Sequence, residues 1–167
     1  MKYQKPKGTK DFYPAEQEMM VKMSEVFRKV AKKYGYWEIE TPAFETLPLL
    51  CEKEGEEIKS QIFTLEKRGK EEFGLRFDIT VPCARMFIAK QKELPKPVKW
   101  FYITRMWRYE QPQKGRLREF YQFGTENFGS DQPEADAEII RLAINSLEAL
   151  GLCKKDFKVK INNRYLL

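Results

Sequence analysis

The chain has 167 residues, 42% of them hydrophobic and 14% aromatic, which is one domain's length with material for a real core and excludes a disordered segment. Charged residues reach 34% with a formal net charge of +6, a balance that suits an anionic partner such as nucleotide or RNA, although a lysine-rich surface alone gives it too. Histidine is absent, so triads, zinc sites and general bases built on histidine are excluded.

Residues 1–14, with Pro6, Gly8 and Pro14, read as a basic irregular arm. From Ala15 to Tyr34 the apolar positions Met19, Met23, Val26, Phe27, Val30 and Tyr34 recur every three or four residues, predicting an amphipathic helix that ends at Gly35. Trp37–Thr41 reads as a short strand stopped by Pro42; a turn follows, and 47–59 is partly helical. Gln61–Leu65 and Phe73–Phe77 read as two strands joined through Gly69, and Pro82 suits the first turn of a helix from Val81 to about Lys90. After the proline-marked linker 92–98 comes a strand pair, and then Asp131 with Glu134 predicts a capping box for a helix running to Leu150. FKVKI, 157–161, reads as a last strand. The expected class is α+β, an antiparallel sheet flanked by helices.

Cys51, Cys83 and Cys153 are odd in number and far apart, which fits a reducing compartment rather than a disulfide framework or a CxxC metal site. No apolar run is long enough to span a membrane and no secretory leader is read, so the expected location is the cytoplasm.

Trp100–Gly129 is the stretch that organises the rest. Two runs rich in aromatic and β-branched residues flank a polar segment with Pro112 and Gly115, predicting a β-hairpin with an extended loop. Alternation puts Tyr102, Thr104, Met106, Arg108 and Glu110 on one face. On the return run Gln122, Gly124 and Glu126 share a face. With parity-matched pairing, for example Glu110 opposite Arg118, these groups all lie on one side. A face carrying an arginine, carboxylates and an amide is costly to bury against apolar core. It asks for a charged ligand, and a phosphate plus an amine would suit it.

The run WRYEQPQKGRLREFYQFGTENFG resembles the second signature motif of class II aminoacyl-tRNA synthetases, in the form seen in the histidyl-tRNA synthetase family. KPKGTKDFYP, YGYWEIETPAFET and LRFDITVPCAR are similar to that family's N-terminal arm, first motif and amino-acid-binding segment, in order along nearly the whole chain. The resemblance implies a class II catalytic core. It also implies activation of L-histidine by ATP, with Mg2+ on the phosphates, and transfer to the 3′ end of tRNA(His) by a homodimer. No protein general base is needed, because a phosphate oxygen of the adenylate can accept the ribose hydroxyl proton.

Under that resemblance Arg108 holds the α-phosphate, whose developing charge a planar guanidinium is shaped to meet. Glu110 and Arg116 complete the ATP contacts, with Lys114 beside them. Asp78, Thr80 and Gln122 receive the α-amino group, and Glu126 lies near the imidazole. Pro42 matches a dimer-interface proline, with exposed Trp37 and Phe44 nearby. Each has a plain alternative. Arg108 could be a cross-strand ion pair with Glu110 or Glu126, and Arg116 and Lys114 simply solvated charge. Asp78 or Thr80 could be a helix cap, Arg85 a helix-surface charge, and Pro42 a strand terminator.

Relative to the family pattern a later histidine-binding segment, a third motif and an anticodon-binding domain are missing. The expectation is therefore an N-terminal catalytic fragment, 1–167, with a partial active site and little charging activity of its own. The competing readings are a non-catalytic synthetase-like regulatory subunit of ATP phosphoribosyltransferase and a basic RNA-binding module.

Overall fold

A computed structural model describes residues 3–53 and 55–162. The first helix, α1 (Pro14–Lys33), starts where Pro14 fits the first turn and the Tyr13 N–H donates to Glu16, and it ends before Gly35 at φ +78°. The chain then makes β1 (Trp37–Glu38), β2 (Phe44–Thr46), α2 (Leu47–Cys51) and a 3₁₀ turn (Glu56–Gln61). It continues through β3 (Phe73–Leu75), α3 (Thr80–Lys90), β4 (Val98–Trp107), β5 (Glu119–Phe128) and α4 (Pro133–Ala149).

β4 and β5 form the expected antiparallel hairpin, ten residues on each side, with Trp100 opposite Glu126 and Thr104 opposite Gln122. The parity is as read from the sequence. The register is shifted by two, so that Arg108 rather than Glu110 faces Arg118, through the bond from the Arg108 N–H to the Arg118 carbonyl (2.9 Å). A two-residue shift leaves every side chain on its expected face, whereas a one-residue slip would have inverted the site.

The two faces have different work. On the odd-numbered face Phe101, with Ile103 and Phe123 beside it, packs against Val30 and Ala31 of α1 and Leu142 of α4. On the even-numbered face Tyr102 and Met106 meet Ile79 and Cys83 at the start of α3, and Phe128 stacks on Phe87 (4.7 Å). A third cluster, including Leu47, Leu50, Ile62 and Phe77, joins α2 to the β2–β3 pair. Helices therefore lie against both faces, and the even face carries Thr104, Gln122 and Glu126.

The α+β class stands, with adjustments. β1 joins the hairpin in parallel, Trp37 beside Trp100, so the three-stranded sheet β1-β4-β5 is mixed. Residues 44–46, read as part of a turn, are the strand that pairs antiparallel with β3. Of the expected strand 61–65, Gln61 belongs to the 3₁₀ turn, and Phe63 and Leu65 bond to β3 without forming a ladder of their own. The α4 cap is Gln132 and no side chain caps it; Asp131 instead accepts from the Gln132 side-chain amide. Residues 157–161 form no strand: among the described residues none pairs with them in a sheet, and Val159 and Ile161 are exposed. Among the described residues no helix is long and apolar enough to cross a membrane.

Candidate active site

Three parts of the chain deliver polar and charged groups to the even face of the hairpin. Asp78 and Thr80 come from the turn into α3, Gln122 and Glu126 from β5, and Arg108 from the residue just past β4.

At one end Thr80 links two carboxylates. Its N–H donates to Asp78 Oδ1 (2.7 Å) and its hydroxyl donates to Glu126 Oε1 (3.0 Å). Asp78 thus does serve the start of the helix, as an acceptor two residues ahead of its partner, and still keeps a second oxygen. Thr80 is not a cap; it is the first helical residue, and its hydroxyl aims Glu126. Burial raises the pKa of the Glu126 carboxyl above the usual carboxylate value, Thr80 pulls it down and Asp78 adds to the rise. Cys83, wholly buried beside these groups, has its thiol pushed up to about 12, chiefly by burial and then by Glu126 and Asp78. It is packing, not a nucleophile.

Along the face from Glu126, Gln122 donates through Nε2 to the Tyr102 hydroxyl (3.2 Å). Beyond it Phe120 lies under Arg108, whose guanidinium carbon is 5.1 Å from the ring centre. The Arg108 Nε donates to the Phe77 carbonyl (3.1 Å), which fixes the stem of the fork. Arg108 forms no ion pair among the described residues, so the cross-strand pair with Glu110 or Glu126 is not made. Glu110 pairs instead with Arg116 (3.0 Å), and with Arg108 and Phe120 they line a cavity of about 370 Å³ at the loop end.

The register measures how these ends relate. At about 3.3 Å per residue, Arg108 lies roughly 13 Å from the Gln122 row and roughly 26 Å from the Glu126 row, backbone to backbone. Glu126 and Arg108 stand at opposite ends of one trough, and Asp78 lies between them: it follows Phe77, whose carbonyl holds the Arg108 Nε, and Thr80 ties it to Glu126.

The other residues singled out from the sequence are placed as follows. Arg85 forms an ion pair with Glu45 of β2, so it ties α3 to the β2–β3 pair rather than reaching into the trough. Lys114 is exposed on the loop. Pro42 is exposed, with its carbonyl accepting from Arg76 (3.1 Å), and Trp37 of β1 is 73% exposed.

Two residues of consequence were not singled out. Arg76, 3% exposed, donates to the carbonyls of Thr41, Pro42 and Arg105 and to the hydroxyls of Thr41 and Thr104, and it pairs with Glu40 (2.8 Å). It pins the segment after β1 to β4 on the face that carries the trough, through the Thr104 hydroxyl. An arginine inside an apolar run, LRF, was the available signal. Tyr102 forms the floor between Gln122 and Glu126, and the signal for it was Gly124, a glycine inside a strand pattern. The N-terminal arm also takes part: the Gly8 carbonyl accepts the Arg118 N–H (2.7 Å), and a Cβ at Gly8 would come within 2.8 Å of the Arg118 side chain. That close approach is why glycine stands there.

Solved structures place this architecture in a known class. S. aureus histidyl-tRNA synthetase, in its apo form, superposes on 90% of the chain with a TM-score of 0.75 at 26% identity, covering 35% of that protein. A Bacillus halodurans structure described as an ATP phosphoribosyltransferase regulatory subunit/histidyl-tRNA synthetase does so over 91%, with a TM-score of 0.78 at 27% identity, covering 39% of that protein. The fold is that of a class II aminoacyl-tRNA synthetase catalytic core. The histidyl-tRNA synthetase family model matches residues 8–167, and the chain belongs to that family. Among curated relatives, the histidine–tRNA ligases of Haloarcula marismortui and Methanococcus maripaludis are 43% and 46% identical over 99% and 96% of the chain. The chain spans 38% of the length of each of these relatives.

Proposed function

We propose that this chain supplies the amino-acid end and the α-phosphate contact of a histidine–tRNA ligase, which activates histidine with ATP and passes it to tRNA(His). The observation that carries the reading is the ordering of charge along one sheet face, with the Glu126 carboxylate at one end and, at the other, a guanidinium that has no ion pair among the described residues. An aminoacyl adenylate has that same ordering, with an ammonium and imidazole at one end and a phosphate ester at the other. Asp78, Gln122 and Glu126 offer acceptors to the cationic end. Arg108, with its stem fixed by Phe77 and its plane on Phe120, meets the charge that builds on the α-phosphate oxygens during in-line attack by the carboxylate. Arg116, held by Glu110 at the loop, reaches toward the outer phosphates, and magnesium arrives with the ATP as part of the substrate. A phosphate oxygen then takes the ribose proton as the acyl group moves to the tRNA.

Self-association through the exposed edge at Trp37, Pro42 and Phe44, and a cytoplasmic location, belong to the same reading. So does weak charging by these residues alone, which span 38% of the length of the curated relatives. Histidine-dependent ATP–pyrophosphate exchange is the test. Exchange that needs histidine and is lost in Arg108→Ala supports the ligase. Histidine binding with no exchange, in the chain and in the complete gene product alike, would overturn it in favour of a regulatory synthetase-like subunit.

A further inference from the structure

Tyr102 has no role in the reading so far, yet it occupies the middle of the acidic end. It is 3% exposed, and Gly124 stands directly opposite it across the hairpin. A methyl group at position 124 would overlap the phenol ring and its hydroxyl, so the ring lies flat across bare β5 backbone. Its oxygen therefore ends beside Gln122, from whose Nε2 it accepts (3.2 Å). Asp78 and Glu126 both bear on that hydroxyl, and burial with their charge raises its pKa, so the proton stays on.

An amide side chain has a donor end and an acceptor end of nearly the same shape. Presented wrongly, Gln122 would point two N–H groups at a substrate ammonium, donor against donor. The phenol removes that ambiguity. Its oxygen takes the NH2 end of Gln122 at 3.2 Å, and the bare backbone at Gly124 holds the ring where that contact is made. Resting on the ligase reading, we propose that Tyr102 is a positioning residue that locks the Gln122 amide with its carbonyl oxygen toward the α-ammonium of the bound amino acid. Gly124 is the complementary part of the device, because any side chain there displaces the phenol.

The test separates orientation from packing. Calorimetric titration of the chain and of its Tyr102→Phe variant uses histidine and 3-(imidazol-4-yl)propionate, which lacks the ammonium. Loss of one oriented neutral hydrogen bond weakens histidine binding about fivefold, while the des-amino compound binds both proteins equally. In a Gln122→Ala background, Tyr102→Phe changes neither ligand further. Equal weakening of both ligands, or of neither, overturns the assignment. Wild-type protein that fails to prefer histidine over the des-amino compound would overturn the ligase reading itself, a different result from failure of the Tyr102 variant alone. Circular dichroism of Tyr102→Phe, which deletes a single oxygen, checks that the fold is intact. Should that variant not fold, Gly124→Ala displaces the same phenol and must give the same histidine-selective loss, and its absence counts against the proposal.

Discussion

Thr80→Val isolates the bond that aims Glu126. Valine keeps the shape and the backbone N–H that donates to Asp78, and it removes only the hydroxyl that donates to Glu126 Oε1 at 3.0 Å. A hydrogen bond to a charged group contributes about 1.5–3 kcal/mol, and partial exposure reduces this to on the order of 1 kcal/mol. The Glu126 carboxyl should therefore titrate higher in the variant. The sign follows from the physics: burial already raises this carboxyl, Thr80 lowers it more than Lys53 does, and removing the Thr80 hydroxyl lets the rise proceed. Only the ionised carboxyl accepts from the ligand's cationic groups, so the acid limb of histidine affinity moves to higher pH. The assay is histidine affinity measured from acid to neutral pH in wild type, Thr80→Val and Thr80→Ser. The ligand's own imidazole titrates alike in all three, so the displacement reports the protein. Thr80→Ser, which restores the donor, should overlay wild type. Superimposed limbs for valine and threonine would refute the reasoning.

Arg76→Met should cost about 2–4 kcal/mol, since it strips the donors from a buried set of carbonyls, while Glu40, 64% exposed and still held by Thr104, adds little; urea denaturation measures it, and a loss below about 1 kcal/mol would show the cluster to be incidental. Glu126→Gln should make the protein more stable at neutral pH while removing histidine binding. A carboxyl whose folded pKa is raised destabilises the fold increasingly as pH climbs from its unfolded value through the raised one, so the gain disappears below that window. Thermal melts across pH give the check. Arg116→Ala, at a side chain 60% exposed, should alter stability by no more than about 0.5 kcal/mol yet raise the KM for ATP several-fold, as steady-state exchange kinetics would register.

The hairpin was legible because a ten-residue alternation survives in sequence whatever surrounds it, and parity alone then assigned Arg108, Gln122 and Glu126 to one face. β2 was not, because three residues after a proline are too few to show a period and are held by β3, nearly thirty positions on. The opposite error occurred at 157–161. Alternation is present there, but a strand exists only with a partner, and none of the described residues supplies one. Arg76 and Tyr102 escaped for a third reason. The value of each lies in contacts made across the fold, Arg76 to Thr41 and Thr104, and Tyr102 to Gln122 over Gly124. Local pattern carries only a hint of such residues, in the form of a misplaced charge or a misplaced glycine.

The central claim is that one ligand spans the trough from Glu126 to Arg108. The direct measurement is the affinity of a non-hydrolysable sulfamoyl analogue of histidyl-adenylate for wild type, Arg108→Ala and Glu126→Gln, with free histidine and AMP titrated alongside. The predicted result is that each substitution weakens the analogue at least tenfold, whereas histidine responds only to Glu126→Gln and AMP only to Arg108→Ala. An analogue that binds no more tightly than histidine and ignores Arg108→Ala would contradict the claim, because the two ends of the sheet face would then not serve the same molecule.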